Sequence, residues 1–317
     1  MNLEIAVAPP VQQPTTCERM PWPTDLRQWQ KFAENPVLPG MAGTWEAWRA
    51  DPTVLYRDGV YHMWYTGAGK EPWKIFYASS RDGVRWTRGG AVNEDGHRAS
   101  VVFHRGTYYM YLTSGKVGSD IRLQLSAKPG GPFRDAGIVL RSDAPWEENV
   151  LWCPDVIYDE EERLWKMWYS AGTVQAGAGW PEPKAVGYAT STDGRRWIKH
   201  QGNPILAPLN DSSWMGHSVC TLYVVKHNRR YYGFSNSVGA DGRSRIGMAE
   251  SSDGICWNLG PHSLILNLGK PGEFDASHLF APAAIYGHDG WMLWYNGKCD
   301  QEGSAVESIG GAYAKRQ

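Results

Sequence analysis

Acids, cations and aromatics crowd into five short segments of this chain, and no two of the segments are alike. The first reads Trp45-Glu46-Ala47-Trp48-Arg49-Ala50-Asp51-Pro52, and the second Asn93-Glu94-Asp95-Gly96-His97-Arg98-Ala99. The third runs Trp146-Glu147-Glu148-Asn149-Val150-Leu151-Trp152-Cys153-Pro154-Asp155. The fourth carries Trp214-Met215-Gly216-His217 and the fifth Phe274-Asp275-Ala276-Ser277-His278. This mixture suits a sugar, whose ring presents apolar C–H faces to Trp and a rim of hydroxyls to carboxylates, His and Arg. Cleaving a glycosidic bond also needs two carboxyl groups, one protonated to donate to the leaving oxygen and one ionised to act as base or nucleophile.

Asp51 stands before a proline at the start of an apolar run and is the first candidate for catalysis or direct ligand contact, although an Asp there can also cap a turn through its own backbone. Asp155 lies two residues beyond Cys153, so period-two alternation puts both on one side of a strand, toward the axis if Asp51 points there. As a buried carboxylate it would need partners, and tying neighbouring strands together would supply them. Glu147 is the candidate general acid, a carboxyl from the third segment, with Glu148 beside it. Glu147 and Asp275 occupy matching places, one residue after an aromatic and seven before a proline, as Glu46 nearly does. Such repetition also marks architectural residues. Trp48, Trp152 and Trp214 are expected to stack on a sugar, and Arg49, His97, Arg98, Glu148, His217, Asp275 and His278 to contact it. His217 and His278 could instead hydrogen-bond within the structure or hold a central cation through water. No other metal and no cofactor is expected.

The segments must be brought together by the elements that follow them. An alternating, aromatic-rich strand pair centred on a turn occurs five times, at 53–67, 100–115, 155–172, 221–236 and 283–297. The repeat of about fifty to sixty-five residues is the length of a four-stranded antiparallel blade. A second signature, Ser-x-Asp-Gly-x-x-Trp, recurs at Asp82-Gly83, Asp193-Gly194 and Asp253-Gly254. Asp-Gly supplies the positive φ angles of a two-residue hairpin turn. NPVL at 35–38 and NPIL at 203–206 each introduce a further unit, and the last unit ends on residues 309–314 as its outermost strand. A repeat that keeps its internal order is not explained by a sandwich. The chain therefore reads as all-β, a five-bladed β-propeller of four-stranded antiparallel blades over residues 31–317, with residues 1–30 as an extended lead-in.

The 317 residues include 17 Trp, enough for a large core, and carry a formal net charge of −1 without a Lys/Arg cluster. Nucleic acid and anionic membrane are therefore not expected partners. No apolar run approaches the length of a membrane span, and the N-terminal stretch lacks the pattern of a secretory signal. Five scattered cysteines without metal-ligand spacing read as free thiols, hence a reducing cytoplasm. A small carbohydrate is the expected partner, and oligomeric state stays open.

Ala50-Asp51-Pro52-Thr53-Val54, running into an aromatic-rich strand, resembles the opening of the first blade in glycoside hydrolase families 43 and 32 and their relatives. Phe274-Asp275 to Phe280-Ala281-Pro282 is similar to an aromatic stretch of the same superfamily, and Cys153-Pro154-Asp155 to the Cys-Pro-Asp of family 32. The resemblance implies a five-bladed propeller glycosidase acting on furanosides or related sugars, with Asp51 as base or nucleophile. This chain departs from it at Trp152, where family 32 has a Glu, and lacks a clear counterpart of that family's Arg-Asp-Pro. Family 130, which includes phosphorylases, would need phosphate-holding cations, a part open to His97, Arg98 and His217. The Asp-Gly turns also resemble those of sialidases, but no cluster of three arginines accompanies them. A non-catalytic carbohydrate-binding propeller, or one recruited to another small-molecule reaction, is the competing expectation. Unlike mouth segments suit one asymmetric site better than a ring of equivalent lectin pockets.

Overall fold

The computed structural model describes residues 28–114, 118–175, 181–209, 213–258, 263–300 and 306–316. The chain forms five antiparallel sheets, the blades of a five-bladed β-propeller. From inner to outer edge, blade 1 comprises β2 (Arg49–Arg57), β3 (Val60–Gly67), β4 (Lys74–Ser80) and β5 (Thr87–Ala91). Blade 2 holds β6 (His97–His104), β7 (Thr107–Thr113), β8 (Asp120–Ser126) and β9 (Arg134–Arg141). Blade 3 holds β10 (Leu151–Asp159), β11 (Leu164–Gln175), β12 (Pro181–Ser191) and β13 (Ile198–Lys199). In blade 4 the inner strand is split into β14 (Ser218–Val219) and β15 (Tyr223–His227), both paired with β16 (Arg230–Val238), and β17 (Ser244–Ser251) and β18 (Leu264–Leu266) follow. Blade 5 has β19 (His278–Gly287), β20 (Gly290–Lys298) and β21 (Glu307–Lys315), with β1 (Gln30–Lys31) on its outer edge.

That last strand corrects one expectation. Residues 309–314 are not outermost, because β21 has partners on both sides: Gln30 pairs with Tyr313 and Lys31 with Ala312. A segment from near the start of the chain completes the final sheet and closes the ring. The rest of the expected lead-in, residues 1–27 with Cys17, lies outside the described residues.

Apolar side chains fill the five spaces between successive blades, one cluster to each interface. Trp64, Trp168 and Trp294, each on the second strand of its blade, are fully buried. Removing such a ring from water contributes at most about 4 to 6 kcal/mol. The same strand position also makes a polar latch to the next blade. Trp64 Nε1 donates to the Pro129 carbonyl at 2.8 Å, the Tyr111 hydroxyl to Gly194 at 2.7 Å, Trp168 Nε1 to Gly254 at 2.7 Å, and Trp294 Nε1 to Gly83 at 2.8 Å. Blade 4 has Phe234 there, a side chain with no donor. Its neighbour, blade 5, takes its outer strand from β1 and so has no turn between third and fourth strands to offer a carbonyl.

Three of these acceptors are the glycines of the repeated Asp-Gly turns, whose geometry differs from the two-residue hairpin expected. Gly83, Gly194 and Gly254 have positive φ, but their aspartates do not. The aspartate side chain instead accepts two backbone N–H groups, as Asp82 Oδ1 does from Val84 at 2.9 Å and Arg85 at 2.8 Å. The repeated signature therefore fastens blades together.

Cys153, Cys220 and Cys299 are free, but Cys256 is disulfide-bonded. This corrects the expectation of free thiols throughout and removes its argument for a reducing compartment. Among the described residues, no helix is long and apolar enough to cross a membrane.

Candidate functional site

Each inner strand starts at one mouth of the ring, and four of the five kink near that start. The register slips between Ala50 and Thr53, His97 and Ser100, Trp152 and Asp155, and Phe280 and Ala283. At each kink a non-glycine residue adopts left-handed backbone: Asp51 (φ 50°), Arg98 (53°), Cys153 (45°) and Ala281 (40°). Such a conformation costs about 1 to 3 kcal/mol and persists only where its surroundings enforce it. Enforcement comes from the preceding blade, whose second strand offers a side-chain oxygen to the N–H of the strained residue. Asn296 Oδ1 accepts from Asp51 N at 3.1 Å, Thr66 Oγ1 from Arg98 N at 2.9 Å, Thr113 Oγ1 from Cys153 N at 3.1 Å, and Asn236 Oδ1 from Ala281 N at 3.2 Å. Where the inner strand of blade 4 breaks at residues 220–222 instead, the matching oxygen, Ser170 Oγ, has no partner among the described residues. The kinks are architecture, repeated around the ring. What they present differs in every blade.

Three of these positions, Asp51, Arg98 and Ala281, line a pocket of about 950 Å³, counted with its open mouth. Trp48, Trp73, Trp152 and Phe280 supply aromatic walls, and Asp51, Arg98, Glu182 and Glu307 supply the charge. Arg98 sits among the acids with its side chain 15% exposed; its Nε is 3.8 Å from Asp51 Oδ1 and its Nη2 3.7 Å from Glu182 Oε2. Sharing one guanidinium caps the separation of those two carboxyls at roughly 10 Å, the upper end of hydrolytic spacing. Arg98 Nη1 also donates to Cys153 Sγ at 3.1 Å, and the guanidinium lies 4.8 Å from the centre of the Trp152 ring. Burial pushes the Cys153 thiol up to about 11, so at neutral pH this neighbour is uncharged.

Desolvation governs the acids. Burial raises Asp51 above the usual carboxylate range, opposed by Arg98 and a hydrogen bond from Thr66. Burial carries Glu182 up to about 7, with Arg98 pulling down and Asp51 pushing up. Glu307 also reaches about 7, through burial and the charge of Asp51, against the pull of Lys298 and a 2.9 Å hydrogen bond from Asn296 Nδ2. Groups of one kind with ionisation displaced toward neutrality are what acid–base chemistry requires.

Glu182 and Glu307 are absent from the sequence-derived candidates. Neither acid lies on a loop entering an inner strand; both begin third strands, which in an antiparallel blade start at the same mouth. Glu307 opens β21, with its backbone bridged to Trp48. Glu182 reaches the pocket because the hairpin of β11 and β12, with strands of 12 and 11 residues, is long, pairing Glu182 with Val174. The Pro181-Glu182-Pro183 sequence was the available signal.

Of the anticipated residues, Trp48, Asp51, Arg98 and Trp152 meet in the pocket. Asp155 lines a smaller chamber beneath it that shares Asp51 and Arg98. The kink between Trp152 and Asp155 interrupts the simple alternation, and the Asp155 carboxylate is engaged by Val224 N at 2.8 Å and the Ser100 hydroxyl at 3.4 Å, joining blades 2, 3 and 4.

The remaining candidates lie elsewhere. Glu147 is fully buried, accepting from the Tyr169 hydroxyl at 2.9 Å, Lys199 Nζ at 2.8 Å and the backbone of Asp143 and Ala144. Asp275 binds Tyr295 and Lys31 in the same manner, and Glu46 binds Tyr65 and Arg49. This acid–tyrosine–cation trio recurs in three blades and anchors the segment that enters each inner strand. Arg49, 2% exposed, belongs to it and also donates to the Pro39 carbonyl. His97 is buried edge-on to Trp73, and Glu148 accepts from Thr173. Trp214 lies over Gly247 against the core between blades 3 and 4, and His217 is exposed. His278 is buried, with Nδ1 accepting from Ser244 N and Nε2 at 3.0 Å from Asp300. Only Arg98 of the three cations considered for phosphate lines the pocket. Among the described residues, no group of three or more His, Cys, Asp or Glu side chains could hold a metal ion.

The fold is that of solved five-bladed propeller glycoside hydrolases. A glycoside hydrolase with TM-score 0.68 is 16% identical, the match covering 89% of this chain and 91% of that one. A family 117 glycoside hydrolase of the marine bacterium Zobellia galactanivorans has TM-score 0.66 at 15% identity, covering 91% of each chain. An N-acetylgalactosamine deacetylase from F. plautii, in complex with blood group B trisaccharide, has TM-score 0.67 at 16% identity, covering 86% of this chain and 92% of that one. No family model matches the chain. Two uncharacterized proteins from two strains of Mycobacterium tuberculosis are each 26% identical over 148 residues, 40% of this chain and 48% of theirs. The chain spans about half the length of these curated relatives.

Proposed function

We propose that this protein hydrolyses a glycosidic bond in a furanoside or related sugar. The observation that carries the reading is the convergence of Asp51, Glu182 and Glu307, from three blades, on one aromatic-walled pocket, the first two of them sharing the Arg98 guanidinium. Asp51, held toward its ionised form by Arg98, acts as base toward water or attacks directly. Glu307 is the general acid. With ionisation at about 7 and no cation at ion-pairing distance among the described residues, it retains a proton near neutrality. Glu182, facing Arg98, takes the sugar hydroxyls, and Trp48 and Trp152 take the ring faces.

The test is a panel of aryl and alkyl furanosides and pyranosides, with and without inorganic phosphate, against wild type, Asp51→Asn, Glu182→Gln and Glu307→Gln. Asp51→Asn should lose at least about a thousandfold in kcat/KM. Glu307→Gln should lose far more on alkyl than on activated aryl leaving groups, because only the former need the proton. Glu182→Gln should lose on both alike. A wild type that binds saccharides yet turns over none of the panel would overturn the hydrolytic reading in favour of a binding module. Activity that appears only with phosphate would replace it with phosphorolysis. The deacetylase among the structural neighbours favours a second reading, another reaction on a sugar in the same pocket. Release of acetate from N-acetylated sugars with no glycosidic cleavage would mark that outcome.

A further inference from the structure

We propose that Asn296 is a positioning residue that fixes the general acid Glu307 relative to Asp51, an inference that rests on the hydrolytic reading above. Its basis is a difference among the four latches that hold the strained kinks. Two are threonines, Thr66 and Thr113, whose hydroxyls suffice to accept the kinked N–H. The other two are asparagines, and an asparagine brings an amide donor that the latch itself does not use. Asn236 directs its spare N–H to the Ser244 hydroxyl at 3.1 Å, at the start of the third strand of blade 4, where the corresponding residue of blade 5 is the acid Glu307. Asn296 directs its own to Glu307 Oε2 at 2.9 Å while its Oδ1 holds Asp51 N at 3.1 Å.

The Glu307 backbone is already clamped, paired with Lys298 on one side and bridged to Trp48 on the other. Carboxyl orientation is the freedom that remains. Asn296 Nδ2 is its only hydrogen-bond partner among the described residues, so a single planar amide sets both the backbone that aims Asp51 and the oxygen Oε2 of Glu307. Oε1 is left to carry the transferable proton. An amide donor favours the ionised carboxylate, so Asn296 also limits how far Glu307 is raised by burial, Asp51 and Glu182, an effect it shares with Lys298.

Asn296→Thr separates the two tasks, because a threonine can serve the Asp51 N–H as Thr66 and Thr113 serve theirs, but offers no amide to Glu307. With an alkyl glycoside that wild type hydrolyses, whose leaving group needs the proton, kcat should fall roughly tenfold at little change in KM. The alkaline limb of the rate profile should rise by about half to one pH unit, with the melting temperature within about 2 °C of wild type. Asn296→Asp, nearly isosteric, keeps the acceptor and adds a negative charge beside Glu307, so its alkaline limb should rise further. It carries the comparison should the threonine variant melt early. Wild-type kcat and limb positions in both variants, with Asp51→Asn inactive, would overturn the proposal while leaving the hydrolytic reading intact. If Asp51→Asn keeps full activity, the hydrolytic reading falls first and the proposal falls with it.

Discussion

Arg98 Nε stands 3.8 Å from Asp51 Oδ1, beyond hydrogen-bonding distance but well within Coulombic reach. Both residues occupy the strained kink of their strands, in adjacent blades, so the contact is fixed by two backbones as much as by two side chains. Arg98 opposes the burial that raises Asp51. Arg98→Met should therefore let Asp51 rise further and move the acidic limb of the rate profile up by about one pH unit or more. Arg98→Lys, which restores the charge without the fork, should return part of that shift. A limb that stays in place in Arg98→Met would show that Asp51 is not the ionised group the reaction needs.

The propeller was legible because its signals repeat. The five aromatic strand pairs gave the blades, and the Ser-x-Asp-Gly-x-x-Trp copies marked recurring turns, although the blade-to-blade contact those turns make follows only from packing. The outer strand of blade 5 was not legible, because Gln30 and Lys31 form a two-residue strand with no pattern of its own and meet β21 only through closure of the ring. At the site, Asp51, Arg98, Trp48 and Trp152 could be placed from their proximity to inner strands. Glu147 misled because its sequence neighbourhood suits a mouth acid, and only packing shows its carboxylate consumed by Tyr169 and Lys199. Glu182 and Glu307 were missed for the opposite reason. Their position depends on hairpin length and on the third strand sharing the mouth with the first.

Glu147 offers a direct contrast with the pocket acids. Its carboxylate is fully buried and bonded by Tyr169, Lys199 and two backbone N–H groups. Glu147→Gln should lower stability by about 2 to 4 kcal/mol, by leaving Lys199 and a backbone donor poorly matched. Urea unfolding should show that loss, while kcat/KM of the folded fraction stays at the wild-type value. A selective loss of activity at unchanged stability would place Glu147 in the chemistry instead.

Asp155 should make stability fall as pH rises. Burial lifts its folded ionisation to about 7, although Val224 N and Ser100 favour the charged form. Between the unfolded value of 3.8 and about 7, the native state keeps a proton that the unfolded chain has released, so the contribution is whole below that window and gone above it. The loss amounts to at most about 4 kcal/mol. Asp155→Asn keeps an acceptor for Val224 N but cannot ionise, so its stability relative to wild type should be greater at pH 8 than at pH 4. Chemical denaturation at those two values tests it. A difference that is equal at both would show that Asp155 ionises alike in folded and unfolded chains.

Two buried hydroxyls at corresponding places should behave oppositely. Thr113 Oγ1 accepts from the N–H of Cys153, which holds a left-handed conformation that nothing else in its strand favours. Ser170 Oγ, one blade further round, meets an inner strand that breaks instead of kinking and finds no partner among the described residues. Thr113→Val removes the acceptor at nearly constant shape, strands a buried N–H and should cost about 1 to 3 kcal/mol. It should also displace Arg98, which hydrogen-bonds Cys153, and so weaken saccharide binding. Ser170→Ala removes a polar atom with nothing to lose, and should be neutral or slightly stabilising. Thermal melts of the two variants decide the matter: equal destabilisation would mean that the latch, rather than the kink it restrains, is what each position needs.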